Sequence, residues 1–144
     1  MKRLIAVVAV MTGCTQMAEA DENMLLGVWS GNDRASEATY GAIHIARKQI
    51  SWGGHNPYNP YCGTTYTLDA KYSDTTYPGN TFPIVTGRTF TIYKLKLDPQ
   101  PCTGRQGYFQ FALTSDNNSY AEVVTYSTDD RQDGWHNFSK VSDQ

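Results

Sequence analysis

This chain of 144 residues has only three cysteines, and none stands close to another in the way a thiolate metal site or a redox pair requires. After the first eleven residues no apolar run approaches the length of a membrane span. Charged residues make up only 18% of the sequence and leave a formal net charge of -2. That balance gives no electrostatic footprint for nucleic acid, and the chain has no basic amphipathic helix for an anionic membrane surface. It also lacks a nucleophile elbow, a spaced Ser-His-Asp arrangement and a Gly-rich phosphate loop after a strand. No catalytic activity and no cofactor are therefore expected. No segment combines helical periodicity with a cap and a stop signal, and a short turn near Ala35 is the only helical element allowed for.

What is present begins with an export signal. Lys2 and Arg3 precede an apolar run from Leu4 to Met11, and Ala18-Glu19-Ala20 offers the small-Xaa-small pattern of a signal peptidase site. Residues 1–20 are read as the signal and 21–144 as one domain, long enough for a single core. A second route competes with it. Gly13-Cys14 directly after the apolar run resembles the lipobox of bacterial lipoproteins, which would lipidate Cys14 and anchor the protein to a membrane. Either route leaves Cys62 and Cys102 as the cysteines of the folded part. In an oxidising periplasmic or secreted setting they are expected to form a disulfide.

Ten tyrosines and twelve glycines suit pleated strands and turns. Periodicity of two recurs along the chain. Strands are expected at Leu25 to Ser30, Ala42 to Ala46, Gln49 to Trp52, Thr64 to Ser73, Arg88 to Asp98, Tyr108 to Thr114, Ala121 to Thr128 and Trp135 to Val141. Arg47-Lys48 and Asp116 to Ser119 read as hairpin turns, and Gly31 to Glu37, Gly53 to Tyr61 and Asp74 to Gly87 as loops. In Thr64 to Ser73 the residues Tyr66, Leu68, Ala70 and Tyr72 share one face. In Arg88 to Asp98 the apolar face changes parity between Ile92 and Tyr93, which predicts a bulge. Phe109, Phe111 and Leu113 give the strongest core signal. Eight sequential strands escape exposed edges best by closing, so the fold class is all-β: a single antiparallel eight-stranded barrel, mostly meander, with a β-sandwich as runner-up.

Gly27-Val28-Trp29 on the first strand resembles the Gly-Xaa-Trp opening of the calycin barrels, the lipocalin and avidin group. The resemblance implies that Trp29 closes the barrel base and that Lys140, in Asn137-Phe138-Ser139-Lys140-Val141, packs across it. Gly134 to Val141 resembles the closing strand of avidin-type barrels. The Thr-Asp-Tyr signature of lipocalins is absent. Ser36-Glu37-Ala38-Thr39-Tyr40 resembles the Ser-Gly-Xaa-Xaa-Tyr motif of periplasmic lysozyme inhibitors, with Glu37 in the glycine position.

The best ligand-site candidates are Trp52, His55, Asn56, Tyr58, Asn59 and Tyr61. They combine flat apolar faces with hydrogen-bonding ends on a loop stiffened by Pro57 and Pro60. The alternative for the same loop is a rigid plug over one barrel end, tied down by Cys62. His44, His55 and His136 have no metal-site spacing, and Asp129, Asp130 and Asp133 lack the glutamate of a calcium loop, so no metal is expected. Asp69 and Glu122 alternate with core residues and are expected to face water. The first functional expectation is an exported barrel that holds a small apolar or aromatic-friendly ligand at a loop-lined mouth. The second is a periplasmic inhibitor or immunity protein with a protein partner in the envelope. Neither ligand identity nor oligomeric state is encoded legibly.

Overall fold

The computed structural model describes residues 23–54, 56, 59–76, 85–114 and 117–143, with backbone alone at 76 and 85–88. The signal segment and Cys14 therefore lie outside the described residues. Eight antiparallel strands close into one barrel in sequence order: β1 (Gly27–Gly31), β2 (Ala42–Ala46), β3 (Gln49–Trp52), β4 (Cys62–Thr76), β5 (Val85–Leu97), β6 (Gln106–Thr114), β7 (Asn117–Ser127) and β8 (Gln132–Ser142). Closure comes from β1 pairing with β8, with Trp29 opposite Lys140 and Gly31 opposite Phe138. The all-β meander barrel read from the sequence is the architecture found.

Each strand turns one set of alternate side chains inward. Trp29, Ile43, Ile45, Ile50, Tyr93, Leu95, Phe109, Phe111, Leu113, Val123 and Phe138 form the core and are almost wholly excluded from solvent. Arg47 and Lys48 make the two-residue β2–β3 turn, in which Lys48 takes the left-handed conformation (φ 62°). The Cys62–Cys102 disulfide ties the start of β4 to a 3-10 turn, Pro101–Thr103, across a separation of 40 residues.

Several local expectations are corrected. The stretch read as a loop from Gly31 to Glu37 contains a helix, α1 (Arg34–Tyr40). Its start is fixed by Asp33, whose carboxylate accepts from the Ser36 backbone N–H at 2.8 Å and from Ser36 Oγ at 2.7 Å. Its end is fixed by Gly41 at φ 61°, whose N–H donates to the Glu37 carbonyl. Asn117 to Ser119 lie in β7 rather than in a turn.

The bulge expected at Ile92/Tyr93 falls instead on the partner strand, between Leu68 and Ala70 of β4. It sends Tyr72 to the outer face, opposite Ile92, while Tyr66 and Leu68 stay with the core. Ile92 and Tyr93 are each 1% exposed because β5 is buried on both faces. Glu122 departs further from expectation. It points outward, as its alternation with Ala121 and Val123 requires, yet it is only 3% exposed. On the same outer wall Ile92, Ala112 and Val124 are also buried.

Candidate functional site

Trp52 leaves the candidate set first. It pairs with Ile43 and Cys62 on the inner face of the barrel and is 8% exposed. Its ring meets Phe109 edge-on at 5.2 Å and Tyr40 at 6.5 Å. These contacts belong to a series that crosses the interior. Trp29 touches Phe111 (6.1 Å), Phe111 touches Phe109 (6.1 Å), and Phe109 touches Tyr40 (5.4 Å). Rings at these separations are in van der Waals and edge-to-face contact. The axis from Trp29 at one end to Tyr40 under α1 at the other is thus occupied by the protein's own side chains.

The remaining loop candidates separate. His55 and Tyr58, with Pro57, lie outside the described residues, and Asn56 and Asn59 are exposed. Tyr61 is 82% exposed, although part of its ring rests on the backbone of Gly53. A Cβ at Gly53 would stand 2.7 Å from Tyr61 Cδ2, and Gly53 holds φ 94°, so glycine is needed there for both the turn and the ring.

Tyr61 forms one wall of a cleft of about 290 Å³ across from α1. Arg34, Glu37, Ala38, Thr39 and Tyr40 line the helix side, and Gly41, Gly53 and Gly54 form the rest. One hydrogen bond joins the walls, from the Gly53 N–H to the Tyr40 carbonyl (2.7 Å), and Gly31 N–H ties the end of the helix to β1 through the Gly41 carbonyl (3.0 Å). The loop ending at Tyr61 and the segment Ser36–Tyr40, separate motifs in the sequence, therefore face each other across one cleft.

Beneath α1 lies a polar group that links helix and barrel. Ser36 is fully buried; its hydroxyl donates to Asp33, accepts from the Asn137 backbone N–H (3.2 Å) and stands 3.4 Å from His136 Nδ1. With its proton directed to Asp33, the hydroxyl anchors the helix rather than attacking anything. Hydrogen bonds from Ser36 hold the Asp33 carboxyl below its ordinary pKa. Burial pushes the His136 imidazole below its own, with the Asp33 charge opposing. Burial also raises the Tyr40 phenol, whose hydroxyl donates to Gln106 Oε1 at 3.0 Å.

The buried Glu122 belongs to a second group on the outer wall. Tyr120 Oη donates to Glu122 Oε1 (2.6 Å), and Trp135 Nε1 donates to Glu122 Oε2 (2.7 Å). With its amide nitrogen turned toward them, Asn137 donates to Glu122 Oε1 (2.9 Å) and to Tyr120 Oη (2.7 Å), which satisfies every group in the cluster. Alternation alone gave no sign of this network. The nearest signal was the crowding of Tyr120, Trp135 and Asn137 on the same face of two paired strands.

At the opposite end, Lys140 Nζ lies 5.1 Å from the centre of the Trp29 ring and donates to the Met24 carbonyl at 2.7 Å. His44 is half-buried on the outer face of β2, far in sequence from His136. Among the described residues, no three His, Cys, Asp or Glu side chains converge in a way that could hold a metal, and no helix is long and apolar enough to cross a membrane.

Comparison with known proteins finds no matching family model, no matching curated protein and no matching solved structure.

Proposed function

We propose that this chain is an exported binding protein that docks another protein across the α1–Tyr61 end of its barrel, as an inhibitor or immunity protein does. The observation that carries the reading is the occupied axis: the ring series from Trp29 to Tyr40 fills the space where a barrel of this size would carry a ligand. A small apolar ligand would have to sit in the outer cleft, where Arg34, Glu37 and Thr39 make an unsuitable lining. The same rim suits a protein surface. An exposed tyrosine supported on its inner side, beside an arginine, is the kind of side chain that dominates protein interfaces. Lys140 over Trp29 adds to the calycin kinship, and the Lys2–Ala20 pattern to an envelope location.

The test is inhibition of cell-wall lysis. Protein cleaved after Ala20, in molar excess, slows one or more lysozyme-type or host cell-wall hydrolases, and Tyr61→Ala or Arg34→Glu weakens that effect at least tenfold with the melting temperature unchanged. Lysis untouched for every hydrolase, together with a small mass released from host-purified protein on denaturation, would instead support ligand carriage.

A further inference from the structure

A second surface depression lies away from the cleft, on the outer face of β2, β3 and the start of β4. It measures about 400 Å³ and is lined by His44, Ala46, Gln49, Ser51, Thr65 and Gln100, with Gly63 and the edges of Ile50 and Thr64. The strand register explains its shape. His44, Ser51 and Gly63 form one cross-strand row, and Ala46, Gln49 and Thr65 the next. Short side chains make the floor and amides, hydroxyls and an imidazole make the rim.

Gly63 is the informative residue. Glycine inside a strand lowers stability through backbone entropy and a missing side chain, and it often marks the close approach of another group. Among the described residues, nothing asks for it here. Gly63 does not occupy the positive-φ region. A Cβ built there would meet Ser51 Cβ at 3.5 Å and the Ile50 carbonyl at 3.9 Å, both ordinary contacts. A larger side chain would fit the strand and fill the depression.

We propose that this depression is a binding site for a neutral saccharide. Among the described residues, its lining holds no carboxylate, ammonium or guanidinium. An anionic ligand would lose hydration there without gaining a counter-charge, and it would meet the Asp98 carboxylate that Thr65 Oγ1 contacts at the rim. The amides of Gln49 and Gln100 each offer donors and an acceptor, the pairing that adjacent sugar hydroxyls require. Thr64 Oγ1 already donates to the Asp98 carbonyl (2.6 Å), and Thr65 Oγ1 donates to the Asp98 carboxylate. Their oxygens are therefore preset as acceptors for ligand hydroxyls. The rim is also stiff. The backbone N–H and carbonyl of Gln100 are held by two hydrogen bonds with the Thr103 hydroxyl (3.1 and 2.8 Å), beside the Cys102 disulfide. A preorganised rim reduces the entropy lost on binding.

Backbone amide NMR on the protein cleaved after Ala20 tests this, with glucose, cellobiose, N-acetylglucosamine and chitobiose as probes. At least one probe is expected to shift the amides of Gln49–Ser51 and Gly63–Thr65 in a saturable way. Gly63→Val abolishes those shifts while keeping or raising the melting temperature, and Gln49→Ala weakens binding several-fold. Glucuronate binds less tightly than glucose. Silence of these amides toward all four neutral sugars overturns the proposal. So does unchanged binding by Gly63→Val, or equal binding of glucuronate and glucose.

Discussion

Trp135 Nε1 donates to Glu122 Oε2 at 2.7 Å, so an exposed indole is held in one orientation by a carboxylate that is itself buried. Removing the carboxylate takes the acceptor from three donors, on Tyr120, Trp135 and Asn137. Such a loss costs about 2–4 kcal/mol. Glu122→Ala is therefore expected to lower unfolding free energy by about that amount in urea titration, and to release the indole as a change in Trp fluorescence. Glu122→Gln keeps an acceptor oxygen and is milder. A loss below about 0.5 kcal/mol for the alanine variant would mean that the network contributes only packing.

Lys140 makes a second test. Its side chain is 9% exposed, its ammonium caps the Trp29 ring and it donates to the Met24 carbonyl. A desolvated cation–π contact is worth about 2 kcal/mol, and a hydrogen bond from a charged donor is of similar size. Lys140→Met preserves the apolar stem and removes both, together with the ion pair to the exposed Asp143 (3.3 Å), which adds little, so a loss of about 2–3 kcal/mol is expected by thermal or urea unfolding. Trp29→Phe should lose the Nε1 bond to the Leu25 carbonyl (2.8 Å) and show a smaller loss.

His136 sets a pH limit on stability. Its folded pKa lies below the ordinary value of 6.5, chiefly through burial. Above 6.5 the imidazole is neutral in both folded and unfolded chains, and stability is fully present. As pH falls below 6.5, the unfolded state takes up the proton first and stability declines until the folded pKa is passed. Asp33, depressed from 3.8, adds a separate loss at lower pH as its carboxylate is protonated. Urea midpoints measured from pH 8 to 5 should fall, and His136→Gln should flatten that limb. A flat profile in the unsubstituted protein would contradict the assignment.

Loss of the Cys62–Cys102 bridge frees a 40-residue span. In the chain-entropy account this corresponds to about 4 kcal/mol. The pair Cys62→Ala and Cys102→Ala should show a loss of that order, with the sheet retained in far-ultraviolet circular dichroism.

The fold was legible where one side of a strand faces the core and the other faces water. Phe109, Phe111 and Leu113 alternate cleanly and lie where alternation puts them. Legibility failed where a strand is buried on both sides, because adjacent apolar residues such as Ile92 and Tyr93 then imitate a slip in register. The true bulge, at Leu68/Ala70, was hidden because Tyr72 is apolar enough to continue the inward series on paper. A short helical turn near Ala35 was allowed for, but the extent of α1 was not read, although Asp33 as cap and Gly41 as stop were written out. Seven residues carry too little periodicity to reveal a helix. For the candidate site, exposure of Tyr61 could be read from its loop, but its meeting with Arg34 and Glu37 depends on tertiary contacts between segments far apart in the chain. Gly63 was invisible as a candidate, since a glycine reveals its role only when the space around it is known.

Among the described strands, the β1–β8 ladder is the one that joins strands distant in sequence; the other ladders link strands consecutive in the chain. Local pairs form early and a distant pair must wait for the chain between its ends to be organised. Closure of this seam is thus expected to be the late step of folding, reported by Trp29 as it comes under Lys140. A chain held open at that stage exposes the edges of β1 and β8 together. Two such chains can exchange β8 and complete each other's barrels, so refolding at high concentration should yield strand-swapped dimers that the rapidly closed monomer avoids.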